Sequence, residues 1–454
     1  MKEYGYFRNQ GSEFVITTPN TPRHWYNYLY NDSYITFTSQ VGYGESLIQG
    51  HLGRRILLAD SRQVYILDTE SSQYWTANGL PVKKEYQDFS CVHGIGYTEI
   101  FSQYMGISSS FRIFVPQDAN EEIWSIKVKN TSNRIRTIKV IPYAKTETDG
   151  VYRPQGYNVD TAGFRPELNG VATRSYAKIQ SENFQEVSAY FLADREVSGY
   201  DTRKNAFIGT YGNEQEPDAL TMGGCTGSCC IGEKICLALE HTVTLKPGEE
   251  AQFHYALGVA LASGELEEAA RRNNARTVEQ RLMDVREQYA AQEKGVTIRT
   301  PDESLNCLIN FWTKHQTNMG SRWARVRHNG YRDMVSDSEC LASFNPQLAW
   351  ERFKRALTFQ YSNGYAPRTW LDGEIRDNNF ADCAVWIPMA AASIIEELGD
   401  VKCLEESVPF NDGSEASVYE HVKRAVDFLW DFRGIHGLSK EGADFEVGMS
   451  DAKG

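Results

Sequence analysis

The feature that most constrains this chain is a change of period at Ser263. Up to about residue 262, short runs of alternating or β-branched character recur between turn signals. From Ser263 onward, apolar residues return at helical spacing. Side chains alternate faces along a strand but revisit one face every three to four residues along a helix, so the two patterns need different packing layers. The chain therefore divides into a β part followed by helical parts. Its 454 residues also exceed one typical core and imply about two or three domains.

In residues 1–262 the strand signals include Tyr34–Thr38, Arg112–Val115, Glu122–Val128, Arg136–Ile141 and His241–Leu245. Turn clusters at Asn130–Asn133 and Lys246–Gly248 separate them. Many short strands without an intervening helix pattern predict a β-sandwich. The stretch 127–140, K-V-K-N-T-S-N-R-I-R-T-I-K-V, reads as a hairpin.

Residues 263–299 read as a helical linker, one helix or a pair, with Ser263 as its cap and Gly295 at its end. Leu266, Ala270, Val278, Leu282, Val285 and Tyr289 make its apolar face. A helical domain follows over 300–454. Thr300-Pro301-Asp302 opens a helix with Leu305, Leu308, Ile309 and Trp312 as a stripe. Gln347–Tyr361 is a second helix, and Asp382–Leu398 is apolar on nearly all sides, which predicts burial. Ala416–Phe432 places Val418, Val422, Val426 and Leu429 on one face. About five or six helices are legible before the last residue, so the expectation is the front part of a longer reading frame.

Within the helical domain, Asn329–Glu339 reads N-G-Y-R-D-M-V-S-D-S-E and concentrates Arg332, Asp333, Asp337 and Glu339 beside Tyr331. Arg and carboxylates make charge-assisted, often bidentate hydrogen bonds to vicinal hydroxyls, and an aromatic ring covers the apolar face of a pyranose. The stretch is thus a candidate sugar site; the alternative is a helix entrance with surface ion pairs, which contribute little.

Several ordered segments carry a family resemblance. Tyr4–Leu29 reads Y-G-Y-F-R-N-Q-G-S-E-F-V-I-T-T-P-N-T-P-R-H-W-Y-N-Y-L. Trp75 is followed by P-V-K-K at Pro81–Lys84; Cys91–Thr98 is C-V-H-G-I-G-Y-T and Ile126–Ser132 is I-K-V-K-N-T-S. Gly330–Asp337 is G-Y-R-D-M-V-S-D, and Asp382–Trp386 is D-C-A-V-W, with Cys383 where a second Asp is expected. On these segments the whole chain resembles the disaccharide phosphorylases of glycoside hydrolase family 94, the cellobiose phosphorylase group. The resemblance implies an N-terminal β-sandwich, a helical linker and an (α/α)6 barrel, here incomplete at the C-terminus. It implies inverting phosphorolysis of a β-linked disaccharide or oligosaccharide to an α-sugar 1-phosphate by a homodimer. Inorganic phosphate is then a co-substrate, with no cofactor and no metal. Arg332 and Asp337 would hold the sugar, with Asp333 a ligand or a partner behind them, and Asp382 and Trp386 would line the same pocket.

The acid position departs from the family pattern of Asp-Trp-Asn-Asp. Ala443–Met449 reads A-D-F-E-V-G-M, so Asp444 matches the first Asp, Phe445 the Trp, and Val447 the place of the acid. Glu446 stands one position early. Either Glu446 serves through a shifted loop, or Asp444 or Asp451 does, or the protein lacks the acid. No residue is assigned to phosphate. The competing readings are an inverting hydrolase on the same scaffold, with Glu339 or Glu446 as base, and a sugar-binding protein without turnover.

A net charge of −13 argues against nucleic acid or an anionic membrane as main partner. Met1–Gln10 has no apolar signal-peptide core and no run reaches a membrane span, so a cytoplasmic location is expected, with the nine cysteines reduced. Cys225, Cys229, Cys230 and Cys236 follow a C-x3-C-C-x5-C spacing unlike a zinc ribbon and read as a loop with incidental thiols. His24, His93, His315 and His328 are scattered and read as structural, as do Trp25 and Trp75.

Overall fold

The computed structural model describes residues 4–49, 54–57, 62–146, 160–177, 185–292, 295–324, 329–371, 374–376 and 382–438. The chain forms two compact units, Met1–Ala290 and Ala291–Gly454. An N-terminal β-sandwich is followed by a helical domain.

Seven strands organise the first unit: β1 (Asp88–Gly94), β2 (Tyr97–Tyr104), β3 (Ile107–Phe114), β4 (Glu121–Asn130), β5 (Arg136–Ala144), β6 (Ile235–Leu245) and β7 (Glu250–Ala260). An eleven-stranded antiparallel sheet has β1-β2-β3-β4-β7 at its centre. The hairpin Gly5–Arg8 and Glu13–Ile16 extends one end; Gln185–Ala193, Gly170–Ala177, Thr161–Arg165 and Cys230–Ile231 extend the other. A five-stranded sheet centres on β6 and β5, and a four-stranded sheet starts at Tyr26–Tyr30. On β4, Trp124, Ile126 and Val128 point into the core while Lys127 and Lys129 stay exposed. Trp124 meets Phe111 and Phe191 edge-on at 5.1 and 5.0 Å between ring centroids. Ile138 and Val140 on β5 and Leu237 and Leu239 on β6 complete that core, in which Trp75 is fully buried.

The stretch 127–140 is not a hairpin. β4 is already paired on both sides, by β3 and β7, and β5 pairs instead with β6 and Gln63–Asp68 in the other sheet. Residues 131–135 therefore arch from one layer to the other, and Lys246–Glu249 makes a matching arch from β6 to β7. Asn130 ties the two arches: its Nδ2 donates to the Arg134 and Leu245 carbonyls at 2.7 and 2.9 Å, and its backbone carbonyl accepts from Gly248 N at 2.8 Å.

The Gly-rich cysteine loop is held by buried Asp201, whose carboxylate accepts from Thr226 N, Thr226 Oγ1, Ser228 N and Ser228 Oγ. Burial pushes the Cys225 and Cys236 thiols well up, which keeps them neutral. His93 sits inside the sandwich with its ring nitrogens 2.9 Å from the Trp25 carbonyl and 3.1 Å from Thr98 Oγ1. Burial pushes its pKa down to about 4, against the opposing pull of the Trp25 carbonyl. The unfolded ring titrates near ~6.5, so the unfolded state binds the extra proton first. Stability from neutral His93 is fully present above that value and is lost as pH falls toward 4, by about 3 kcal/mol in total. Urea unfolding of the full chain between pH 7 and 4.5 is expected to show this slope, and His93→Gln to flatten it.

Helices Lys204–Ile208 (α1) and Asp218–Thr221 (α2) are short. α3 (Glu265–Arg272) and α4 (Ala275–Gln292) form the predicted pair. The cap of α3 is Gly264 at φ +89°, not Ser263; the Glu265 carboxylate instead accepts from Leu261 N and Ala262 N. Val278, Leu282, Val285 and Tyr289 of α4 are buried. Tyr289 donates to the Tyr30 carbonyl at 3.1 Å, and Arg281 pairs with Asp118 and Glu121, each at 2.6 Å. These contacts bind α4 to the sandwich.

In the second unit, Asp302 caps α5 (Glu303–Cys307) by accepting from Ser304 N and Leu305 N. α6 (Thr313–Trp323), α7 (Tyr331–Ala342), α8 (Pro346–Leu357), α9 (Trp386–Leu398) and α10 (Val418–Asp431) follow. Their core contains Tyr331, Val335, Phe353, Ile387 and Ile394. Two expectations change here. α9 buries one face, through Ile387, Ala390, Ala391 and Ile394, and leaves Met389 exposed. Leu305 and Leu308 are likewise exposed rather than a buried stripe. Overall apolarity does not fix how many sides of a helix are covered; among the described residues, α9 is packed by α7, α8 and α10. No helix among the described residues is long and apolar enough to cross a membrane.

Candidate functional site

Gly330 and Asn329 form a two-residue strand against Thr369–Leu371, and Tyr331 N donates to the Arg368 carbonyl at 2.9 Å. This pins the start of α7. The Asp333 carboxylate folds back over Gly330, where a side chain at 330 would clash with it. A carboxylate in the first turn also complements the helix dipole.

Tyr331 then enters the core and is fully buried, so its ring presents no face to solvent in this structure. It packs with Val335 one turn on. The neighbouring Arg332 is half-buried, and its Nη1 lies 2.6 Å from Asp382 Oδ2. This contact raises the Arg332 pKa, opposed by desolvation. Asp382 begins a single 3-10 turn, Asp382–Val385, that leads into α9. Half-buried Trp386 is the first residue of α9, one turn beyond Asp382. Buried Cys383 places Sγ 3.8 Å from Asp382 Oδ1. Burial, then the Asp382 charge, pushes this thiol up to about 12. It is therefore a neutral neighbour where the motif comparison expected a second carboxylate.

Two candidates 50 residues apart, Arg332 and Asp382, are thus joined directly. Asp333 lies beside Arg332, and Asp337 follows one turn later on the same side of α7 as Asp333. Glu339 is committed elsewhere: it accepts from Ser393 Oγ of α9 at 2.8 Å. That helix-to-helix link had no sequence signal, because Ser393 lies in an otherwise apolar run. Asp444, Glu446, Val447 and Asp451 lie outside the described residues. Chemically, a paired guanidinium and carboxylate at two helix starts offers hydrogen-bond donors and acceptors at adjacent positions, as vicinal sugar hydroxyls require.

Two family profiles match the chain. One is described as the glycosyl hydrolase 94 supersandwich domain and covers residues 12–280; the other is the glycosyl hydrolase 94 superfamily catalytic domain, over 290–454. Solabiose phosphorylase of Paenibacillus borealis is 30% identical over 450 residues, covering 96% of this chain and 58% of that protein. The 3-O-beta-D-glucopyranosyl-beta-D-glucuronide phosphorylase of Paenibacillus borealis is 30% identical, covering 96% and 57%. N,N'-diacetylchitobiose phosphorylase of Vibrio proteolyticus is 27% identical, covering 96% and 60%. The chain thus spans under two thirds of the length of these curated relatives. A solved structure assigned as a kojibiose phosphorylase, from the human microbiome, matches at a TM-score of 0.56 and 10% identity, over 94% of this chain and 60% of that one. That likeness concerns the fold alone. With the supersandwich profile spanning more than half of its residues and the catalytic profile the helical unit, the chain belongs to glycosyl hydrolase family 94.

Proposed function

We propose that the chain carries the sugar-binding part of an inverting disaccharide phosphorylase, acting on a β-linked disaccharide with inorganic phosphate to release an α-sugar 1-phosphate. The observation that carries this reading is the Arg332–Asp382 pair, set among the family's motif residues at the start of α7 and α9. In this reading Arg332, Asp382, Asp337 and Trp386 bind the sugar, and Asp333 keeps Arg332 aligned. Tyr331 supports α7 from below.

Phosphate arrives as an anion, so the reaction needs no general base. An inverting hydrolase needs one, with room between two carboxyl groups for water. What remains necessary is one carboxylic acid to protonate the leaving oxygen, with a pKa raised toward the working pH. Glu446 is our candidate, with Asp444 as alternative. The hydrolase reading is weaker for Glu339, whose carboxylate is engaged by Ser393. Binding without turnover is favoured by Val447, which has no proton to give. In this reading the working form is a cytoplasmic homodimer.

The test is release of sugar 1-phosphate from a panel of β-disaccharides, with and without phosphate. It is run on this chain and on any longer reading frame that contains it. Phosphate-dependent release is expected, and Glu446→Gln is expected to reduce it about 10²- to 10⁴-fold, the span of general acid catalysis. Equal sugar release without phosphate points to a hydrolase. Saturable sugar binding with no product from any chain points to a binding protein.

A further inference from the structure

α7 and α9 are joined at two levels. At their starts, Arg332 Nη1 lies 2.6 Å from Asp382 Oδ2. Two turns further along α7, Glu339 Oε1 accepts from Ser393 Oγ of α9 at 2.8 Å. Arg332 and Glu339 are seven residues apart, as are Trp386 and Ser393, so each pair shares one helix face. The two helices therefore run side by side in the same direction. Their rungs stand about 10 Å apart along α7, the rise of a helix over seven residues.

The second rung is formed against a local competitor. A serine inside a helix ordinarily returns its proton to the carbonyl four residues earlier. That carbonyl, of Met389, lies 3.3 Å from Ser393 Oγ. A hydroxyl has one proton, and the shorter contact is to the carboxylate, a stronger acceptor because it is charged. Both side chains are half-buried, which strengthens the bond relative to one in open water. The apolar side chains that α9 buries, Ile387, Ala390, Ala391 and Ile394, do less to fix register. Apolar burial is non-directional, and alanines present low ridges to a neighbouring helix.

One contact fixes one point of a helix pair, whereas a second contact two turns away restrains sliding and rotation together. We propose that Glu339 is a positioning residue for the sugar site: by gripping Ser393 it sets the register of α7 on α9, and so holds the Arg332 guanidinium in place against Asp382. This role rests on the reading of Arg332 and Asp382 as sugar ligands. It gives Glu339 no contact with sugar and no proton to transfer.

The experiment joins fluorine NMR to kinetics on the full chain labelled with fluorotryptophan, the Trp386 signal being assigned by its loss in Trp386→Phe. Trp386 lies on the same face of α9 as Ser393 and one turn beyond Asp382, so a change of register alters its surroundings. Glu339→Ala and Ser393→Ala are each expected to shift or broaden this signal. The double variant is expected to do no more than either, because both remove one bond. Glu339→Gln and Ser393→Thr, which keep an acceptor and a hydroxyl, are expected to restore it. In whichever chain releases sugar 1-phosphate, the alanine variants are expected to lower kcat/KM about 10- to 100-fold, as a misplacement near 1 Å can. Ser393→Ala serves where Glu339→Ala fails to fold. The proposal is overturned by a Trp386 signal unmoved in the alanine variants, which would mark a bond that only adds stability, or by Glu339→Gln behaving as Glu339→Ala. Turnover that falls with Arg332→Ala but not with Glu339→Ala also overturns it. A moved Trp386 signal in a chain without turnover supports the register role and counts against the phosphorolysis reading instead.

Discussion

Arg332→Ala is expected to lower sugar 1-phosphate release by about 10²- to 10³-fold, the range seen when one preorganised donor is removed from an active site. The guanidinium stands at the first turn of α7, held by its 2.6 Å contact to Asp382 Oδ2. Its side chain is 32% exposed and that of Asp382 24%, so solvent screens much of the pair's folding contribution. The melting curve should therefore move little while turnover collapses. Arg332→Lys is not expected to rescue, because an ammonium cannot hold a carboxylate and a sugar hydroxyl in one fixed plane. Kinetics beside a circular dichroism melt, in whichever chain turns over, check this. A loss smaller than tenfold with an unchanged melt would remove Arg332 from the site.

Glu122→Ala is expected to destabilise the sandwich by about 3–5 kcal/mol, the cost of leaving one member of a buried ion pair alone. Arg62 and Glu122 are both fully buried, with Nε 2.8 Å from Oε1. Glu122 also accepts from Trp124 Nε1 at 2.7 Å and Ser46 Oγ at 2.8 Å, and Arg62 donates to Thr36 and Ser46. Burial alone would raise the Glu122 pKa; Arg62 and these hydrogen bonds outweigh it and hold the group below its ordinary value. Removing the carboxylate strands a guanidinium in the protein interior. Such a loss is large against the roughly 5–15 kcal/mol that stabilises a typical protein. Urea unfolding of the full chain measures it. The pair of changes Arg62→Met and Glu122→Leu should recover most of the loss, since two apolar groups leave no charge behind.

What the sequence made legible follows from periodicity. Glu122–Val128 was readable as a strand because its core face, Trp124, Ile126 and Val128, repeats every second residue. The buried face of α4 was readable because Val278, Leu282, Val285 and Tyr289 recur every three to four. Stretch 127–140 misled because a hairpin and an inter-layer arch have the same local composition. They differ only in which distant strands occupy the edges, here β7 beside β4 and β6 beside β5. α3 begins after Gly264 at φ +89° with no side-chain cap, a backbone conformation that the neighbouring Ser263 did not announce.

At the candidate site, the sequence by itself singled out the residues here proposed to bind sugar: the cluster around Arg332, and Asp382 with Trp386. It also determined the order of the β and helical parts, because pattern and motif are local properties of the chain. Only the tertiary structure decided that Arg332 grips Asp382 across 50 residues, that Tyr331 faces inward, and that Glu339 is held by Ser393. The physical reason is common to all of them. A side chain's partners are set by which elements pack together and by which acceptors are already taken, and neither is written in the residues next to it.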